Sequence, residues 1–394
     1  MSDLSVVRGE KNKNFEAEVL IHRLKIFGGI FFLIAVIAAA GFYAFHIFDT
    51  KVYTGYQILE KSLRSDSDTA KYLAYNGHVL KYSRDGAESY DGVKDTKWNV
   101  TYELQDPMVS VCSDYVALSD RGSNRILLMS GEGKSSSVNT RLPIQDFSVA
   151  GQGVVAAVLT DGGSSRINIY SPEGEELAGI RSSMGKSGYP ADIALSPDGT
   201  LLGVSYARVE SGTGDVHSSV AFYNFGDVGQ NEIDNYVSGY DYEGTFIPRV
   251  HFLSRDAAVA IGDDRMIFFS GAQKPEAVSE NAITEEIQSV FFGDEEVALV
   301  FRSEEGGSRY RLKVYDKTGK EILNKDFEMA YTDIVLSDKR AVIYNDSACE
   351  IIDYKGNLRY DGLFEDPVLL MVPTSHRSRF ILVNRSLTEE IALE

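Results

Sequence analysis

KYLAYNGHVLKYSRDG, Lys71–Gly86, reads as a short apolar run, an Asn-Gly turn, a second apolar run and a polar turn containing Asp and Gly. Asn-Gly between two such runs signals a β-hairpin, because both central residues of the tight turn take positive φ. Seven further stretches repeat the pattern: VSVCSDYVALSDRG (Val109–Gly122), FSVAGQGVVAAVLTDGG (Phe147–Gly163), IALSPDGTLLGVSYA (Ile193–Ala207), VHFLSRDAAVAIGDD (Val250–Asp264), SVFFGDEEVALVFRSEEGG (Ser289–Gly307), IVLSDKRAVIYNDS (Ile334–Ser347) and LLMVPTSHRSRFILVNRS (Leu369–Ser386). Taking Asn76, Ser113, Gly151, Ser196, Ser254, Gly293, Ser337 and Thr374 as equivalent turn positions, the period averages about 43 residues, that of a four-stranded propeller blade. The longest interval, between Ser196 and Ser254, marks the fourth copy as an outlier.

Each copy continues into a third strand and usually a fourth, as in RLKVYDKTGKEIL and EIIDYKGNLRY. One such sheet cannot bury both faces alone, so the sheets must stack in a ring. The expected fold is all-β: an eight-bladed β-propeller at 71–394, with seven blades as the alternative. The last copy supplies Val368–Pro373, Arg379–Asn384 and Glu389–Leu393 but no fourth strand. VYTGYQILE, Val52–Glu60, resembles the outer strand WNVTYEL at Trp98–Leu104, so Val52–Leu59 is expected to complete the last blade and latch the ring.

Outward from the repeats, Ile26–Phe48 is apolar for 23 residues without Asp, Glu, Lys or Arg. About 20 such residues cross a bilayer as a helix. Tyr43 and His46 near its C-terminal end suit a membrane–water interface. Arg8, Lys11, Lys13, Arg23 and Lys25 precede it, whereas Asp49 and a lone Lys51 follow. This asymmetry predicts a cytoplasmic tail at 1–25, an anchor at 26–48, and a linker at 49–70 leading to an extracellular ring. Alanines four apart, Ala35 with Ala39 and Ala40 with Ala44, are compatible with weak self-association of the anchor.

The 394 residues are 43% hydrophobic and 25% charged, which excludes a disordered chain. A net charge of −19 argues against nucleic acid as a partner. Two cysteines, Cys112 and Cys349, are too few for a disulfide scaffold and fall in different blades, so both thiols are expected free. The second-to-third turns carry Asp85, Asp120, Asp161, Asp263 and Asp346, which fit turn chemistry before a ring of Ca²⁺ ligands. No HExxH, paired CxxC or Walker-type GKS occurs, and His78, His217, His251 and His376 lie in different blades. No catalytic, cofactor or metal residue is therefore assigned. The candidate binding residues are the aromatics of the fourth copy, Tyr236, Tyr240, Tyr242 and Phe246, which either meet a partner or close the gap between blades.

The SPDG hairpin at Ile193–Leu202, LSDRGSNRILLMSGEGK and VLKYSRDGAESYDGVKDTKWNVTY are similar to quinoprotein-type repeats. With KYSRDG, SGYPADIALSPDG, FYNFGDVGQ and the single N-terminal anchor, the chain resembles a family of membrane-anchored propellers of Gram-positive bacteria whose function is unknown. That resemblance implies a fold and no activity. Trp98 is the single tryptophan, so the repeated docking Trp of quinoprotein dehydrogenases is missing and no quinone cofactor is expected. The repeated Trp-Asp ends of WD-type propellers are missing as well. The expected role is a non-catalytic binding or scaffold module holding a cell-envelope protein or polymer. The alternative is a propeller enzyme acting on a glycan or lactone through channel carboxylates.

Overall fold

The computed structural model describes residues 13–64, 69–183, 188–210, 212–303 and 309–394, without the side chains of 13–18, 42–50 and 183. The chain forms two compact units, Met1–Val52 and Tyr53–Glu394.

In the first unit a continuous helix, α1, runs from Lys13 to Thr50. It extends past both ends of the expected anchor, because the flanking polar residues do not interrupt helical hydrogen bonding. Val19–Gly41 is long and apolar enough to cross a membrane. Its side chains are exposed on all sides, as Phe27, Phe31 and Phe32 show. A helix that is apolar all round, with no polar face, suits lipid rather than water. Tyr43, His46 and Ala44 of the expected anchor lie outside the described side chains.

The second unit consists of eight four-stranded antiparallel sheets. Seven follow chain order: blade 1 at 71–101, blade 2 at 107–139, blade 3 at 144–183, blade 4 at 189–243, blade 5 at 249–282, blade 6 at 287–327 and blade 7 at 333–363. Blade 8 takes its first three strands from 368–393 and its fourth from Tyr56–Leu63. The first-to-second turns are formed as the sequence requires: Asn76 and Gly77 have φ of 45° and 73°, and Asp338 and Lys339 have 52° and 58°.

Eight apolar clusters occupy the seams between successive blades. In the seam of blades 4 and 5, Phe222 meets Phe252 and Phe269 edge-on, with centroids 6.2 and 4.9 Å away. The last seam joins Val79 of blade 1 to Leu370, Val372, Ile381 and Val383 of blade 8, which closes the ring. Second strands are covered on both faces, so Ala257–Ile261 and Arg340–Tyr344 are buried throughout. Blades converge toward the axis, which explains the small residues there. A Cβ on Gly203 would stand 3.2 Å from both Phe222 and Val250.

The closing strand differs in position from the expected Val52–Leu59. It is Tyr56–Leu63, paired antiparallel from Tyr56↔Leu393 to Leu63↔Leu387 with an irregularity between Ile58 and Glu60. Val52 lies outside the strand. The Tyr53 N–H donates to the Arg359 carbonyl of blade 7 at 2.7 Å, and the Thr54 N–H to the Glu394 carbonyl at 2.8 Å. The strand is largely exposed, so backbone pairing rather than an apolar pattern sets its register.

Candidate functional site

The first strands lie at the axis, where those of blades 2 to 5, of blades 6 and 7, and of blades 8 and 1 touch. They do not pair with one another in a ladder, so their inward amides need other acceptors. Side chains supply three successive stitches. Ser110 Oγ accepts the Val149 N–H at 3.1 Å, Ser148 Oγ the Leu195 N–H at 3.1 Å, and Asp192 Oδ2 the Val250 N–H at 2.8 Å. The chain thereby links blades 2, 3, 4 and 5 around a channel cavity of ≈ 430 Å³.

The titratable side chains lining that cavity include Asp146 of blade 3, Asp192 of blade 4, Arg249 and His251 of blade 5, and Asp294 of blade 6. Asp146 and Asp192 each directly follow a bulge in their strand, between Ile144 and Asp146 and between Pro190 and Asp192. A bulge re-aims the side chain that follows it. Burial pushes the Asp146 carboxyl up, partly offset by the Phe147 N–H and by Arg121 and Arg249. Burial pushes Asp192 up to about 6, with Asp146 adding to the rise and the Val250 N–H and Arg249 opposing it. His251 is pushed down to about 4 by burial and by Arg249, and its ring stacks on Phe292 at 4.0 Å. The imidazole is therefore neutral at physiological pH, while Asp192 holds its proton up to about pH 6 and Asp146 is raised in the same direction. Cys112 also lines the channel, but burial raises its thiol pKa, the reverse of nucleophile activation.

The residues singled out from sequence are not gathered on one surface. Tyr240 lies in the seam of blades 4 and 5, its ring 5.2 Å from Phe269 and its hydroxyl donating to the Pro275 carbonyl at 3.1 Å. Tyr242 packs against the same cluster and its hydroxyl pKa is raised by burial. Tyr236 and Phe246 are exposed; Tyr236 meets Tyr223 edge-on at 5.9 Å, and the Phe246 N–H donates to Asp263 at 3.1 Å. The turn aspartates serve local geometry. Asp120 accepts the Gln105 and Asp106 N–H groups at 2.7 and 2.9 Å, Asp161 pairs with Arg166 at 2.8 Å, and Asp346 accepts the Ser347 hydroxyl at 2.6 Å. At Asp85 the backbone carbonyl accepts the Tyr102 N–H at 3.1 Å. Among the described residues no group of three or more His, Cys, Asp or Glu is placed to hold a metal ion. Cys112 and Cys349 are free thiols, and Trp98 is buried in the seam of blades 1 and 2.

Sequence reasoning missed the channel set, whose members are far apart in the chain and meet through blade stacking. The one local signal was the pair of entry prolines, Pro190 and Pro248, which precede Asp192 and Arg249 at the starts of first strands.

An eight-bladed, strand-latched β-propeller preceded by one apolar helix is the class that this architecture defines. The chain belongs to DUF5711, a family of unknown function, whose profile matches residues 49–393. No curated protein matches it. Among solved structures it is similar to BamB from Moraxella catarrhalis (TM-score 0.49, 10% identity, covering 86% of this chain and 100% of that one). It is also similar to Raptor from Chaetomium thermophilum (TM-score 0.47, 8% identity, 87% of this chain and 29% of that one). A third similar structure is Hsv2 from Kluyveromyces lactis (TM-score 0.46, 12% identity, 76% and 98%).

Proposed function

We propose that the protein is a membrane-anchored binding module whose ring stands outside the cytoplasmic membrane and holds a cell-envelope protein or polymer without turning it over. The observation that carries this reading is the concentration of extra chain in one blade of an otherwise regular ring. Blade 4 has second and third strands of nine residues, Leu201–Val209 and Val216–Asn224, and its third and fourth strands are joined by 225–235. The corresponding connections elsewhere are short, as at 92–94, 171–175 and 317–320. Elongated loops on a rigid scaffold are the usual site of recognition. The exposed apolar helix and the Lys/Arg excess before it support the anchor and its direction.

Protease added to intact cells should remove a tag placed after Glu394 and spare one at Met1; the opposite pattern would end the outward reading. A photocrosslinking residue at Ile233 should capture an envelope component, and a crosslinker at Glu276 on blade 5 should not capture the same one.

A second reading, a hydrolase of a glycan or lactone, is favoured by one observation. Asp146 and Asp192 are neighbouring channel carboxyls with raised proton affinity, of the kind acid–base pairs need. It requires turnover that is lost in Asp192→Asn.

A further inference from the structure

We propose that the cleft between blades 3 and 4, on the side away from the second-to-third turns, docks a basic, apolar polypeptide segment of a partner. This deepens the binding reading and rests on it. An open groove of ≈ 630 Å³ lies there, its apolar wall formed by Val154, Ile169, Leu177 and Ala178 of blade 3 and Phe225 of blade 4. Leu177 is 57% exposed. The opposite lip is the 225–235 insertion, which contributes Gln230, Glu232 and Asn235.

The insertion is fixed in shape. Buried Asn224 donates from Nδ2 to the Gln273 carbonyl of blade 5 at 2.8 Å and accepts the Gly226 N–H at 2.8 Å. Gly229 lies so close to the Asn224 carbonyl oxygen that a Cβ would stand 1.6 Å from it. Asp234 and Asn235 both hold positive φ, 54° and 61°, at a cost of about 1 kcal/mol each for non-glycine residues. This backbone presents Ile233 to solvent at 87% exposure, with Val228 at 43% beside it. Phe225 at the start of the insertion packs against the ring's core, but Ile233 contributes nothing to it.

Charge selects the occupant. Glu173, Glu175 and Glu176 on the blade 3 side, and Asp227, Glu232 and Asp234 on the insertion, are exposed. None of the six belongs to an ion pair among the described residues. An acidic rim repels anionic headgroups and nucleic-acid phosphates. The apolar floor between acidic lips instead matches a polypeptide that carries Lys or Arg among aliphatic side chains.

The test uses the full-length protein in nanodiscs of zwitterionic lipid. Fluorescein-labelled peptide KLKLKLK is titrated by anisotropy against ELELELE and KSKSKSK. KLKLKLK should bind at least ten times more tightly than either. Ile233→Ser with Leu177→Ser should weaken it at least fivefold with the melting temperature unchanged, and so should Glu232→Gln with Asp234→Asn. Glu103→Gln with Glu328→Gln, which removes the same charge elsewhere, should leave it unchanged. Equal binding of ELELELE, indifference to the two groove variants, or equal weakening by the distant charge variant would each overturn the proposal. If the envelope component captured through Ile233 is still captured by a photocrosslinking residue at Gln230 in Ile233→Ser with Leu177→Ser, this docking surface falls and the broader binding reading stands.

Discussion

Asp192 shows how one side chain couples the ring's assembly to its chemistry. It accepts a backbone N–H from the next blade, yet burial raises its folded pKa to about 6, against 3.8 for a free carboxyl. The native state thus binds more protons than the unfolded chain between those values, and this group's contribution to stability falls as pH rises through that window. His251 acts oppositely. Its folded pKa of about 4 lies below the 6.5 of a free imidazole, so stability present above 6.5 is lost as pH falls toward 4. Asp192→Asn keeps an oxygen for the Val250 N–H and removes the buried charge. It should stabilise the ring by about 2 kcal/mol at pH 7.5 and by much less at pH 4.5. Equal effects at the two pH values, followed by thermal denaturation, would contradict the assigned burial. Tyr240 was readable from sequence as an aromatic in an unusual blade, but its neighbours were not. Tyr240→Ala should cost about 2 kcal/mol through lost contact with Phe269 and Pro275, whereas exposed Tyr236→Ala should stay within about 0.5 kcal/mol. A denaturant titration that reversed this order would place Tyr240 outside the seam.

Elements with two buried faces were the most legible in the sequence. Second strands such as Ala257–Ile261 are uninterrupted apolar runs bounded by turn residues, and their repetition carried the blade count. Outer strands have one face in solvent, and Tyr56–Leu63 is almost wholly exposed, so no pattern in the sequence marks its ends. Side-chain anchoring is added by one residue beyond it. Arg64 donates to Thr388 Oγ1 of blade 8 at 2.9 Å, while its guanidinium lies 4.8 Å from the Tyr72 ring and 5.0 Å from the Tyr90 ring of blade 1. One arginine therefore ties the last blade to the first. Arg64→Ala should lower stability by about 1–2 kcal/mol, and Arg64→Lys should recover only part of it, because a lysine cannot hydrogen-bond in a fork while stacking on two rings. Full recovery by lysine would show that charge alone matters. The bulges before Asp146 and Asp192 are equally hidden from sequence, since one extra residue in a strand leaves its composition unchanged.

At the scale of the molecule, the sequence yields a ring because eight sheets with two apolar faces each have no other way to be covered. The ring is closed by a strand drawn from the other end of the chain, immediately after the apolar helix. Without the closing strand, Leu387–Leu393 would become an unpaired edge. The most direct test is the thermal unfolding of two truncated chains, one beginning at Lys51 and one at Lys71. The account predicts a single cooperative transition for the first. It predicts for the second a transition at least 10 °C lower, with early loss of hydrogen-exchange protection in Leu387–Leu393. Equal melting temperatures with equal protection of that strand would contradict closure through Tyr56–Leu63.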